Sequence, residues 1–415
     1  MNAEPTRQDM LAVEIQSIKE EWMRLWKESV AAIPTNDGHP ATRNSVLNLI
    51  VFTRRAKTAA AVEGALGNLC RHHPARVLLL IAEPEIEPPS MRAWVNQSCY
   101  QDRQRWGYNT SEQVTIEANG TAVHFLPGVV LSLLAANLPV FMWWADALPL
   151  DHALFERLVG VSDRMVVDSA EFEHLEGNLS ALARITRSRH YRCAASDLNW
   201  QRLAPWRELT AQFFDLDALQ PYLRGISHLL IEYAGHEANG QTVGVSNPAQ
   251  ALLLVGWMAS VLGWSLVPGQ QKKNGGTFHL ELRTEGQKSV LVEIRPRSAK
   301  PHKKPLMIQT GEHLREQQPP PNPTWMVSQA VAGALSTLII TSSLKGHTAS
   351  FEIRRSPDHE HATTSCTIDG AAWGQQRTVH LDSIGRSELL SAELEVFTHD
   401  EGFEDALSVA GALAE

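Results

Sequence analysis

His359 and His361, two positions apart in PDHEHAT, come closest in this chain to a metal-ligand pair. A zinc site needs three or four ligands, and no cysteine pair or second histidine motif supplies the others. The two histidines are therefore expected to be solvated in a polar turn, and no metal is predicted. Ser169 follows an apolar run and precedes a helical one, as a nucleophile would, yet no GxSxG surrounds it. Asp168 and Ser169 read better as capping residues, with Glu171 three positions on from Asp168. PGQQKKNGGTF carries Lys272 and Lys273 but matches neither GxGxxG nor GxxxxGK[ST], so it is read as a connecting loop and not as a phosphate cradle. His72 and His73 close a helical run, where positive charge complements the dipole. Arg295, Arg297, Lys300, Lys303 and Lys304 crowd a short segment, read as a solvated loop or as a docking patch for an anionic surface. No acid–base pair and no nucleophile with its base emerges. The sequence predicts no catalytic residue and no cofactor.

The elements around these residues are clearer. Leu138 to Ser169 reads as a βαβ unit: a strand through Val140, Phe141 and Met142, and a helix with Leu154, Phe155, Leu158 and Val159 on one face after a cap at Asp151. Met165, Val166 and Val167 form its second strand. Trp143, Trp144 and Asp146 fall at the C-terminal end of the first strand, where open α/β sheets usually bind. SVLNLIVF, KTAAAVEGALGNLCRHH and ARVLLLIAEP make another βαβ unit. Trp94–Tyr100 and Gln113–Ala118 suggest a mixed or antiparallel portion, and a helix over about 123–135 is interrupted by Pro127 and Gly128. The first half is thus a three-layer α/β domain with a mixed, mostly parallel sheet of roughly six strands. Residues 186–198 read as a polar link, and NWQRLAPWRELTAQFFD as a boundary element that interleaves Trp200 and Trp206 with Arg202 and Arg207.

The second half opens with the strand SHLLIEYA and the apolar helix PAQALLLVGWMASVLGW, whose Gly256 and Gly263 would admit a close backbone. The period then becomes two. TFHLELRT and SVLVEIRP form a hairpin, and LSTLIITSS, ASFEIRRS, ATTSCTID and QQRTVHLD add strands before helices at about 384–396 and 402–413. This half is predicted as α+β with a mainly antiparallel sheet. The predicted partition is an N-terminal helical extension (1–36), an α/β domain (37–198), a linking helical segment (199–225) and an α+β domain (226–415).

Composition bounds the function. A formal net charge of -9 argues against a general nucleic-acid binder. No apolar run approaches the length of a membrane span, and the start lacks a secretory pattern, so a cytoplasmic protein is expected. Cys70, Cys99, Cys193 and Cys366 lie far apart without a CxxC, the usage of reduced thiols. Twelve tryptophans stand beside five tyrosines. Each tryptophan has two readings, as a core residue or as an interface anchor.

LPVFMWW, LFERLVGVSDRMVVDS and SDLNWQRLAPWRELTAQFFD, together with NSVLNLIVF, HHPARVLLL, SEQVTIEANG and LLLVGWMASVLGW, resemble the OpcA family of glucose-6-phosphate dehydrogenase assembly proteins, known from cyanobacteria and actinobacteria. The resemblance runs from about residue 44 to 264 and more loosely beyond. It implies a non-catalytic allosteric activator that binds glucose-6-phosphate dehydrogenase, promotes its active oligomer and supports NADPH production in the oxidative pentose phosphate pathway. The expected contacts are Trp143, Trp144, Asp146, Trp200, Trp206 and Arg207, with core packing as the competing role. The resemblance also implies redox regulation with thioredoxin as a second partner, through Cys99, Cys193 or Cys366. The alternative from another class is an α/β protein or enzyme that binds a small molecule such as a sugar phosphate or nucleotide.

Overall fold

The computed structural model describes residues 7–32, 45–297 and 333–415, apart from 55, 103–106, 147, 149–152, 173, 189–191, 236, 239–240, 243–246, 275, 382–383 and 397. The expected cap at Asp151, Lys300, Lys303 and Lys304 of the basic segment, and the proline run at 316–325 lie outside the described residues. The chain forms two compact units. Unit 1 comprises residues 1–202 and 384–415, and unit 2 comprises 203–383.

Unit 1 begins with helix α1 (Arg7–Ala32) and continues β1 (Leu47–Thr53), α2 (Ala56–His72), β2 (Ala75–Glu83), β3 (Ser90–Asp102), β4 (Gly107–Asn119) and α3 (Leu126–Leu133). It goes on through β5 (Val140–Trp144), α4 (Ala153–Val159), β6 (Arg164–Val167), α5 (Leu175–Arg187), β7 (Ala194–Asp197) and α6 (Leu198–Arg202). The seven strands lie in the order β3-β4-β2-β1-β5-β6-β7. Neighbours are parallel except β3, which runs antiparallel to β4. β1, β5 and β6 are buried along their whole length, as continuous apolar strands covered on both faces should be. Pro127 sits in the first turn of α3, where its missing N–H costs nothing, and a 3-10 turn precedes it in place of the single longer helix expected.

Unit 2 opens with α7 (Ala204–Gln212), β8 (Ile226–Ala234) and α8 (Ala249–Leu262). Its main sheet runs from Ser265–Leu266 through Thr277–Arg283, Ser289–Arg297, β8, Leu335–Leu344, His347–Arg355 and His361–Ile368 to Ala371–Ala372. Only the β8 and Ser289–Arg297 neighbours are parallel among the described pairs of this sheet. Burial alternates along most of the longer strands, so one face packs and the other is more open, while Leu335–Leu344 opens with four buried residues in a row. The predicted fold classes of both halves hold. Two local expectations do not. Lys272–Asn274, read as loop, pairs with the Thr277–Arg283 strand. Gly263 adopts φ 65° as the left-handed stop of α8, which is the reason a glycine stands there.

The predicted organisation along the chain needs three corrections. Helix α1 packs on β3 and α3, so it belongs to unit 1 and is not a separate extension. Residues 186–198, read as a link, contain β7: AASD has little strand propensity, but burial beside β6 makes it the seventh strand. The chain also returns to unit 1 at Ile384, as α9 (Arg386–Glu393) and α10 (Glu401–Ala414). α10 packs along α5, and Leu389, Leu390 and Leu394 enter the core formed by β1, β2 and α2. Both helices are amphipathic, and the pattern did not say whose sheet they cover.

Candidate partner-binding site

β1 is the switch point of the unit 1 sheet. From it the chain moves to β2 on one side and later to β5 on the other. Ligands of open α/β sheets bind outside the strand ends at such a point. Here the place is filled by the protein itself. Register pairs Phe52, at the end of β1, with Trp144, at the end of β5. Their rings stack at 3.8 Å and 13°, and Phe155 of α4 meets Trp144 edge-on at 4.9 Å. Trp143 points into the core formed with Leu49, Val51 and Leu198, its Nε1 buried without a hydrogen-bond partner among the described residues. Asp146 Oδ2 accepts from the Arg54 backbone N–H at 2.8 Å, linking the two strand ends. The depression lined by Trp143, Trp144, Asp146, Asp168, Glu171 and Arg386 holds no volume a water molecule could occupy.

The charged groups beside it neutralise one another. Asp168, at the end of β6, receives Arg202 through both oxygens at 2.6 and 2.9 Å, and its Oδ1 also caps the following turn through the Ala170 N–H at 3.2 Å. Arg386 Nε lies 3.7 Å from Asp168 Oδ2, and Arg386 also pairs with Glu171. Glu171 is therefore engaged by an arginine far along the chain and not by the expected capping box. Asp197 is fully buried at the end of β7, and its Oδ1 accepts the Ser169 and Asn199 N–H groups, each at 2.9 Å. Burial, then the charge of Asp168, pushes its pKa up to about 6, although those hydrogen bonds oppose the shift. Arg202 is held charged by Asp168 against the cost of its burial. Four of these residues, Asp197, Arg202, Glu171 and Arg386, had no predicted part in the site. The only local signal was that each stands at the end of an element.

The other predicted contacts also have structural settings. Trp200 in α6 is buried, donates from Nε1 to Asp400 Oδ2 at 2.9 Å, and lies 5.7 Å from the Phe403 ring. Asp400 in turn caps α10 through the Phe403 N–H. Trp206 in α7 is buried within unit 2, with the Arg355 guanidinium 5.9 Å above its ring. Arg207 beside it is half-buried. An anchor for a partner needs a surface that solvent can reach. The four indoles are packed away from solvent, so the structure gives them the packing role in this conformation.

Cys193 and Cys366 are free and buried. Burial, aided by the nearby Asp163 charge, pushes the Cys193 thiol up to about 12, and burial also raises Cys366. Both are thus held as thiols, the unreactive form. Cys99 lies on β3. His361 bonds Asp358 at 3.0 Å, and among the described residues no cluster could hold a metal ion. No described helix is long and apolar enough to cross a membrane.

Comparison with known proteins gives consistent matches. Residues 67–184 match the glucose-6-phosphate dehydrogenase subunit N-terminal domain of the OpcA assembly family, and residues 193–407 match its C-terminal domain. A protein of Nostoc punctiforme described as an OxPP cycle protein, OpcA, is 32% identical over 186 residues, 44% of this chain and 37% of its own length. Its counterpart in a Synechocystis species is 31% identical over 207 residues, 49% of this chain and 40% of its own. The matched stretch therefore spans about two fifths of these curated relatives. Among solved structures, KijD10, a 3-ketoreductase from Actinomadura kijaniata in complex with NADP and TDP-benzene, overlaps 88% of this chain and 95% of its own at 11% identity and a TM-score of 0.42. An oxidoreductase from Sinorhizobium meliloti covers 89% of each chain at 10% identity and 0.40. Likeness at that level says nothing about this chain's chemistry.

Proposed function

The chain belongs to the OpcA family of glucose-6-phosphate dehydrogenase assembly proteins, and from that membership we propose that it binds glucose-6-phosphate dehydrogenase, promotes its active oligomer and raises its activity without turning over substrate. The observation that carries the non-catalytic part of this reading is the filled switch point. Phe52 and Trp144 stack where an α/β enzyme would hold its ligand, and Asp146 links the two strand ends. An enzyme using this sheet would need that space. A protein acting through its surface does not, and gains stability from filling it. The same observation weighs against the small-molecule alternative.

Activation needs only a preference for the dehydrogenase's active state. A shift of about 100-fold takes about 2.7 kcal/mol of differential affinity, within reach of a few well-placed contacts. The working place is the cytoplasm, and the gain is NADPH from the oxidative pentose phosphate pathway. Regulation by thioredoxin through Cys193 or Cys366 would have to reach a thiol that burial protects. The reading is tested by size-exclusion chromatography of the chain mixed with the dehydrogenase of the same organism at micromolar concentration. Co-elution, with a change in the dehydrogenase's oligomer profile, is expected. Independent elution of the two proteins would overturn it.

A further inference from the structure

Unit 2 carries an open cleft of about 320 Å³ between the C-terminal end of α7 and the edge of the sheet. Its apolar walls include Phe213, Leu216 and Trp373, and Cys366 lies among its lining residues. Phe213 is braced by Phe351 at 5.3 Å, which is itself fully buried. Trp373 is tied across the strand edge by its N–H to the Cys366 carbonyl at 2.9 Å. The cleft lies where the edge pairing is interrupted: Ala371–Ala372 pairs with Thr367 and Ile368, Arg377–His380 pairs with His361 to Thr364, and residues 374–376 fall between the two pairings. Leu216 is 53% exposed on the rim although flanked by polar sequence, an apolar side chain left for something to cover. Among the described residues lining the cleft, Arg377, exposed, is the single charged one.

We infer that this cleft docks a short segment of glucose-6-phosphate dehydrogenase in which a large apolar side chain stands next to a carboxylate, the side chain entering between Phe213 and Trp373 and the carboxylate meeting Arg377. The inference rests on the proposed function and supplies it with a contact surface. The chemistry selects the occupant. The walls are aromatic and aliphatic, with an arginine at the edge, the composition that concentrates binding energy at protein interfaces. Arg377, the one charged side chain of the described lining, selects a partner group of opposite charge. A cleft of about 320 Å³ admits only one or two side chains, whereas a stable interface between two copies of the chain would engage about 20–30 residues a side, roughly 800 Å² per partner. The cleft is therefore an anchor within a larger heterologous contact.

The test uses the full chain and the purified dehydrogenase. A photo-reactive benzoylphenylalanine at Gln375, which is exposed on the cleft wall, should crosslink to one dehydrogenase peptide holding a large apolar residue beside Asp or Glu. Arg377→Glu and Leu216→Asp should each weaken the complex about tenfold or more, with an unchanged melting temperature because both side chains face solvent. Arg377→Lys should retain most of the affinity. Val261→Asp, at a 67% exposed position on α8 outside the cleft, should leave it unchanged. If the wild-type chain binds and both cleft variants bind equally well, the cleft inference fails while the proposed function stands. A crosslink only to a second copy of this chain also overturns it. If the wild-type chain binds no dehydrogenase, both fall.

Discussion

Asp168 and Arg202 form a two-point ion pair at 2.6 and 2.9 Å, and Arg202 is the last residue of unit 1 before the chain passes into unit 2. The same carboxylate lies 3.7 Å from Arg386, two residues after the chain re-enters unit 1. One buried acid at the end of β6 thus ties down the exit and the re-entry of the chain. Removing it leaves the Arg202 guanidinium without its carboxylate and Arg386 with Glu171 alone. Asp168→Asn should destabilise unit 1 by about 2–4 kcal/mol, somewhat below the loss for a fully buried pair because Arg202 keeps 24% of its surface. Urea unfolding would measure this. A hydrogen-exchange comparison should show faster exchange at 198–202 and 384–388, and equal protection there in the variant would contradict the account.

The stacked pair at the switch point gives a second expectation. Trp144→Ala removes a fully buried indole packed between Phe52 and Phe155 and should cost about 3–5 kcal/mol. The cavity left is apolar, so added indole should recover part of the loss as a rise in Tm. Dehydrogenase binding per folded molecule should stay unchanged. Weakened binding by a fully folded variant would instead make the ring an anchor.

Asp197 makes stability depend on pH in a defined direction. Its folded pKa, about 6, lies above the ordinary carboxylate value of the unfolded chain. Between those values the folded state binds more protons, so this group's contribution is full below about pH 4 and is lost as pH rises through about 6. The swing is on the order of 3 kcal/mol. Asp197→Asn keeps an acceptor for Ser169 and Asn199 but cannot ionise. Relative to wild type it should therefore gain stability between pH 4.5 and pH 7.5 in urea titrations. Parallel pH profiles would refute this.

Cys193 should resist modification. A thiol held near 12 and buried is scarcely ionised at pH 8, so iodoacetamide should label it far more slowly in the native chain than in denaturant. Mass spectrometry of tryptic peptides reads the rates. Fast native labelling of Cys193 would mean that the segment before β7 opens readily.

The sequence carried much of this fold and less of the site, for physical reasons visible in particular residues. VFMWW and LNLIVFT are continuous apolar runs, and the parallel centre of the unit 1 sheet follows from them. AASD has no such signature and becomes β7 only through burial beside β6. The helices near the C-terminus were legible as helices, but their attachment to unit 1 depends on contacts such as Gln201 Nε2 to Glu393 Oε1 at 2.6 Å and buried Arg164 to Glu393 at 2.9 Å, which link residues nearly two hundred or more apart. The tryptophans at the end of β5 are legible in VFMWW itself. Whether they faced a ligand or each other was decided by the register that sets Phe52 against Trp144, which no local pattern encodes. The cleft beside Arg377 was missed because its walls come from three separate stretches of unit 2.

On the proposed function, this chain raises the activity of glucose-6-phosphate dehydrogenase by binding it. The most direct measurement is the steady-state rate of NADPH formation by a fixed concentration of the dehydrogenase, titrated with this chain. The account predicts a saturable rise in kcat/KM, no NADPH formed by the chain alone, and a titration shifted to higher concentration by Arg377→Glu. A rate that stays flat to well beyond stoichiometric addition would contradict it.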